Sequence, residues 1–222
     1  MLLDAIAAGE VTYSFGQYSR TRWRRSLGHT GEVSDVSPDA AVPDAEPNGW
    51  LLLIYRIPSE PTRLRAAVWR RLKGLGAVYL QNSAAALPDS PAAQRALRKL
   101  RHEIGEMGGT AVLMGCTALA GEAEILAAFQ AARDDEYEEI IDKCQDFMSQ
   151  LDKEYKAEHF TYAELEENEE DLVKLRNWLA KVTSRDVFGA PKRQATLDAL
   201  VVCETALEEY AARVYVEAGE SQ

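Results

Sequence analysis

"WLLLIYRIPSEPTRLRAAVWRRLKGLGAVYLQNSAAALPDSPAAQRALRKLRHEIGEMGGTAVLMGC", residues 50–116, decides the fold. It starts sharply after Gly49 with a short apolar run closed by Pro58, the pattern of a buried strand. Leu64, Val68, Leu72 and Leu75 then recur at helical spacing, with Gly74 and Gly76 as the stop. "AVYLQNSAAALP" reads as two short strands joined at Gln81-Asn82-Ser83. Ser90 and Pro91 are suited to the N-cap and first turn of a second helix, whose buried stripe is Leu97, Leu100, Ile104 and Met107. "TAVLMGC" supplies the last strand. The order β-α-β-β-α-β is the ferredoxin-like split βαβ arrangement, two helices on one face of a four-stranded antiparallel sheet.

Downstream the period is helical. Apolar residues at 126, 129, 137, 140, 141, 144, 148, 151 and 155 are mostly spaced by threes and fours. A continuous helix over 121–157 would be about 55 Å long, which predicts an arm or a hinge near Arg133. Leu197, Leu200, Leu207, Tyr210 and Val214 mark one side of a final helix. The expected architecture is α+β, a ferredoxin-like module at 49–120 and an all-α helical bundle with one long helix at 121–222.

Between those helices lies a run in which six of eight residues, Glu164 to Asp171, are acidic. Thr161 followed by Glu164 is a capping box, and Phe160 with Leu165 can form a hydrophobic staple. The acids therefore sit where a helix dipole favours negative charge, with Lys174, Arg176, Lys181 and Arg185 further along. Glu170 and Lys174 are an i,i+4 pair. Leu165, Leu172 and Leu179, with Asn168, Leu175 and Val182, form the seam toward the other helices. This explains the carboxylates without a metal, and none is expected.

The chain has 222 residues, 46% of them hydrophobic and 27% charged, an ordinary balance for a globular protein. The net charge of −11 is uneven. Residues 48–120 carry 10 basic and 4 acidic side chains, whereas residues 121–222 carry 11 and 25. Cys116, Cys144 and Cys203 are odd in number and form no CxxC, which fits reduced thiols in a core. Residues 1–48 read as a flexible segment, rich in small and acidic residues, with three prolines in "HTGEVSDVSPDAAVPDAEPNG". "SFGQYSRTRWRRSLG" upstream mixes aromatics with arginines. No long apolar run opens the chain, so the expectation is a cytoplasmic protein without a membrane span.

Motifs for known chemistry are missing. There is no Glu-x-x-His, GxSxG, P-loop or GxGxxG, and His29, His102 and His159 are isolated in sequence. No catalytic residue and no cofactor is assigned. Three functional readings remain. In the first, Arg63, Arg65, Arg70, Arg71, Lys73, Arg95, Arg98, Lys99 and Arg101 form a basic footprint for DNA on the outer faces of the two sheet-covering helices. In the second, Arg185, Lys192 and Arg193 of "SRDVFGAPKR" converge on an oxyanion near the last helix, although Arg185 also suits a capping or ion-pairing role. In the third, an enzyme uses groups between the modules, such as Tyr137, Glu138, Asp186 and Tyr210. A second copy of the chain is a further partner to test.

Wording in three places carries a resemblance. "WLLLIYRIPSEPTRLRAAVWRRLKGLGAVYLQNSAAALPDSPA", "RDDEYEEIIDKCQDFM" and "FTYAELEENEEDLVKLRNWLAKVTSRDVFGAP" resemble the N-terminal domain family of ChrB chromate resistance proteins. The similarity covers roughly residues 49 to 216. It implies a chromate-responsive transcriptional regulator, of a kind encoded beside chromate efflux genes. Full-length members carry a further C-terminal domain, so the chain is expected to be a stand-alone copy of the N-terminal one.

Overall fold

Both faces of the first strand are apolar, and both meet a helix. The computed structural model describes residues 49–220, the side chain of Glu220 excepted. The expectations for residues 1–48 lie outside the described residues. Strands β1 (Trp50–Arg56), β2 (Val78–Gln81), β3 (Ala84–Pro88) and β4 (Thr110–Cys116) form one antiparallel sheet in the order β2-β3-β1-β4. Helix α1 (Thr62–Gly74) joins β1 to β2, and α2 (Pro91–Glu106) joins β3 to β4. This is the ferredoxin-like order read from the sequence.

Register explains the two layers. Leu53 lies opposite Ala85 on one side and Leu113 on the other, so these residues share a face. That face is buried with Val68 and Leu72 of α1 and Leu97, Leu100 and Ile104 of α2. Leu53, Leu72 and Ile104 are all 0% exposed. Ser90 accepts a hydrogen bond from the Ala93 amide at 3.1 Å, and Pro91 follows it at the first helical position. The opposite face presents Trp50, Leu52 and Ala86, and the start of the long helix packs there through Phe129. Toward β4 this second face stays open, with Ile54, Val112 and Met114 exposed.

Helix α3 (Glu122–Ala157) runs unbroken through Arg133, so the expected hinge is absent and the arm reading stands. Its 36 residues reach from the sheet into a bundle with α4 (Tyr162–Thr183) and α5 (Arg193–Glu220). All six seam residues of α4, from Leu165 to Val182, are buried, and the Asn168 amide nitrogen donates to the Glu164 carbonyl at 2.8 Å. Lys174 reaches Asp171 at 2.8 Å and Glu170 at 3.9 Å.

Further expectations need correction: of the three thiols read as core residues, Cys144 and Cys203 are buried but Cys116, at the end of the edge strand β4, is exposed. Leu197 is 37% exposed, and the buried row of α5 is Leu200, Cys203, Leu207, Tyr210 and Val214. Threes and fours carried back from Leu200 reach Thr196, which is fully buried and donates its hydroxyl to the Lys192 carbonyl at 2.9 Å. Side-chain hydrophobicity favoured the neighbour, but helical phase placed the threonine inside. The capping box is also half formed: the Glu164 amide donates to Thr161 Oγ1 at 3.3 Å, without the reciprocal bond from the glutamate side chain.

Candidate functional site

The sheet layer and the bundle meet around the C-terminal end of α1. Gly76, in the turn after α1, has φ +81°, a left-handed conformation that suits glycine. A Cβ there would lie 2.8 Å from Arg133 Nη1 and 3.2 Å from Arg185 Cβ, so the turn abuts two arginines closely. Beside it opens a cleft of about 280 Å³, lined by Arg70, Lys73, Gly74, Glu136, Glu139, Trp178 and Arg185.

Glu136 is the centre of this arrangement. It is buried, and its Oε2 accepts from Arg185 Nη2 at 2.8 Å. Its Oε1 lies 3.5 Å from Arg133 Nη2, one helical turn back on α3. Arg133 is only 4% exposed, and its Nε and Nη1 have no hydrogen-bond acceptor among the described residues. Burial lowers the Arg133 pKa, Glu136 opposes that shift, and the neighbouring Arg185 adds to it. A buried guanidinium with two idle nitrogens is costly, so the carboxylate between the two arginines matters to the fold.

Arg185 bridges the layers. Its Nη1 donates to the Lys73 carbonyl at the end of α1, and its Nε donates to the Lys181 carbonyl of α4, each at 3.1 Å. The capping and ion-pairing roles foreseen for it are both present, with Glu136 of the long helix as its partner.

The rest of "SRDVFGAPKR" is held by α3. Asp186 is buried, accepts from Tyr137 Oη at 3.0 Å and from the Ala190 amide at 3.0 Å, and so folds the loop back on itself. Burial and Asp186 push the Tyr137 hydroxyl up to about 12, with a Thr183 hydrogen bond opposing them. Phe188 fits against Trp50 and Phe129, with ring centroids 5.7 and 5.5 Å away. The Lys192 amide donates to Asp134 at 2.8 Å, and its ammonium pairs with Glu138 at 2.7 Å. Neither Lys192 nor Arg193 lines the cleft, so of the three cations in this segment it is Arg185 that the fold brings there.

Of the other residues singled out in the sequence, Tyr137 and Asp186 come together, whereas Tyr210 lies with Tyr155 and Phe160 and donates to the His159 carbonyl. The nine cations of α1 and α2 are all exposed. Arg71 is tied to Glu103 at 2.6 Å, and Arg101 donates to the Ala111 carbonyl at 3.1 Å. Arg70 and Lys73 are shared with the cleft.

Sequence reading missed Arg133 and Glu136, though a signal for them exists. Phe129, Arg133, Glu136, Tyr137, Ile140, Cys144, Phe147, Leu151 and Glu154 are one continuous buried stripe of α3. The charged members occupy core positions, which a reading of apolar residues alone skips.

The fold and this cleft define an α+β protein with a ferredoxin-like sheet, a helical bundle and a guanidinium–carboxylate cluster where they meet. The chain belongs to the family described as "Protein ChrB, N-terminal", which it matches over residues 65–221. It is 30% identical over 120 residues to Protein ChrB of Cupriavidus metallidurans, an alignment covering 53% of this chain and 36% of that protein. The chain thus matches about a third of the length of this relative. Among the described residues no helix is long and apolar enough to cross a membrane.

Proposed function

We propose that this chain is a regulatory protein of chromate resistance whose cleft senses an oxyanion of the chromate type. The observation that carries the reading is Glu136, a carboxylate held between Arg133 and Arg185 beside a cleft lined by Arg70, Lys73 and Arg185 together with Glu139. In this reading Glu136 is the resident anion. An incoming oxyanion competes with it for the Arg185 guanidinium and draws further attraction from Arg70 and Lys73. The competition is felt at α1, because Arg185 also grips the Lys73 carbonyl.

The output in this reading is DNA binding through the exposed cations of α1 and α2. Arg63, Arg65, Arg95 and Lys99 are exposed and form no ion pair with other described residues, so phosphates have free partners. Titration of the protein with chromate and sulfate, followed by calorimetry, tests the sensor. Arg185→Ala is expected to weaken binding at least tenfold, and Arg193→Ala to leave it unchanged. The reverse pattern would move the site to the start of α5. For the DNA arm, log affinity should fall linearly with log salt, and the Arg65→Ala/Arg95→Ala double variant should reduce the slope by about 1.8. Salt-independent affinity, or no binding, would leave an oxyanion-binding module without a DNA output.

A further inference from the structure

A second cluster lies about 27 Å further along α3 than Glu136, beyond reach of the cleft. We propose that Glu154, His159 and Glu164 form a binding site for a divalent transition-metal ion. The three residues come from the last turn of α3, the turn after it and the first turn of α4. Each offers one ligand atom, and these atoms lie within 4.8 Å of one another. In sequence they are five apart and match no metal motif, so folding alone brings them together.

The independent observation is Glu154 itself. Its side chain is only 7% exposed. Gln150 Nε2 donates to its Oε1. The other oxygen, Oε2, has no hydrogen-bond donor among the described residues, and His159 Nδ1 lies 3.6 Å from it. Oε1 is bound by Gln150 while Oε2 is bound by no donor, which leaves that oxygen of a largely buried carboxylate able to ligate a cation. Glu164 brings a second carboxylate to the same place, with its side chain free of the reciprocal capping bond to Thr161.

The imidazole is held in place from its backbone. The His159 amide donates to the Glu154 carbonyl at 3.0 Å, and its own carbonyl accepts from the Tyr210 hydroxyl. Tyr210 is fully buried, its hydroxyl pushed up to about 12 by burial and by the field of Glu154 and Glu164. One nitrogen and two oxygen donors suit zinc, cobalt, manganese or ferrous ions, and three protein ligands leave a coordination position for water. Arg213, the nearby cation, is stacked over the Phe160 ring and paired with Glu217.

Calorimetric titration of the full chain with zinc chloride tests the site, together with the ligand-field absorption of bound cobalt(II). One saturable ion is expected per chain, bound at least tenfold more weakly by His159→Ala and by Glu154→Gln. His102→Ala, at an exposed histidine paired with Glu106, should match the wild type. Glu164→Gln, at a half-buried position, gives the same reading should Glu154→Gln disturb the core. No saturable binding, or binding that His159→Ala leaves intact, would overturn the site.

Discussion

Glu136→Ala is expected to lower the unfolding free energy by about 3–5 kcal/mol, the cost of leaving a buried charge without its partner. The deleted carboxylate faces two guanidiniums, of which Arg133 is almost wholly enclosed and already has two nitrogens without acceptors among the described residues. Glu139, also on the cleft wall, is exposed and poorly placed to take over inside. Replacing both buried members, Arg133→Met with Glu136→Leu, should restore most of the loss, because apolar side chains of similar volume remove the desolvation problem. Urea denaturation of the three proteins checks this. A loss below about 1 kcal/mol for Glu136→Ala would mean that solvent reaches the cluster. If oxyanions enter the cleft, sulfate should rescue Glu136→Ala more than it stabilises the wild type, since a ligand that binds the folded state raises its stability.

Phe129→Ala should cost about 3–5 kcal/mol as well, by a different route. Phe129 is 3% exposed and stacks on Trp50 with ring centroids 5.4 Å apart, while Phe188 meets it edge-on at 5.5 Å. This aromatic triad joins the second sheet face, the long helix and the loop that carries Asp186. Truncation removes one of three mutually touching rings, leaving a cavity and breaking two aromatic contacts worth about 0.5–1.5 kcal/mol each beyond their buried area. The loop also has a polar tether, Gln130 Nε2 to the Phe188 carbonyl at 3.2 Å, so it should loosen before it detaches. Denaturation midpoints and the near-ultraviolet dichroism of Trp50 report the two effects. Val201→Ala, at a position 57% exposed, is the control and should stay within about 0.5 kcal/mol.

The sheet and its helices were legible because each element states its own period. Leu53 falls in the short apolar run that reads as a buried strand, and Leu72 and Ile104 are where threes and fours place them. The six seam residues of α4 were legible for the same reason, down to the polar Asn168. Thr196 was not, because a lone threonine carries no apolar signal even when helical phase puts it in the core. The cleft was harder still. Arg185 was named from its position near a helix end, but its partners Lys73 and Glu136 lie 112 and 49 residues away in the chain. No local pattern encodes such distances. His159 illustrates the same limit: isolated in sequence, it lies beside Glu154 and Glu164 once α3 and α4 turn back on each other.

In the proposed sensor, Glu136 and an external oxyanion compete for Arg185. Calorimetric titration of chromate into the wild type and into Glu136→Gln measures this competition most directly. Glutamine retains the size and much of the hydrogen bonding of the glutamate but removes the resident negative charge. Chromate affinity should be about tenfold higher in Glu136→Gln, roughly 1.4 kcal/mol, with an advantage that shrinks as salt rises. Equal or weaker binding by Glu136→Gln would contradict the competition and leave the arginine cluster a purely structural bridge between sheet and bundle.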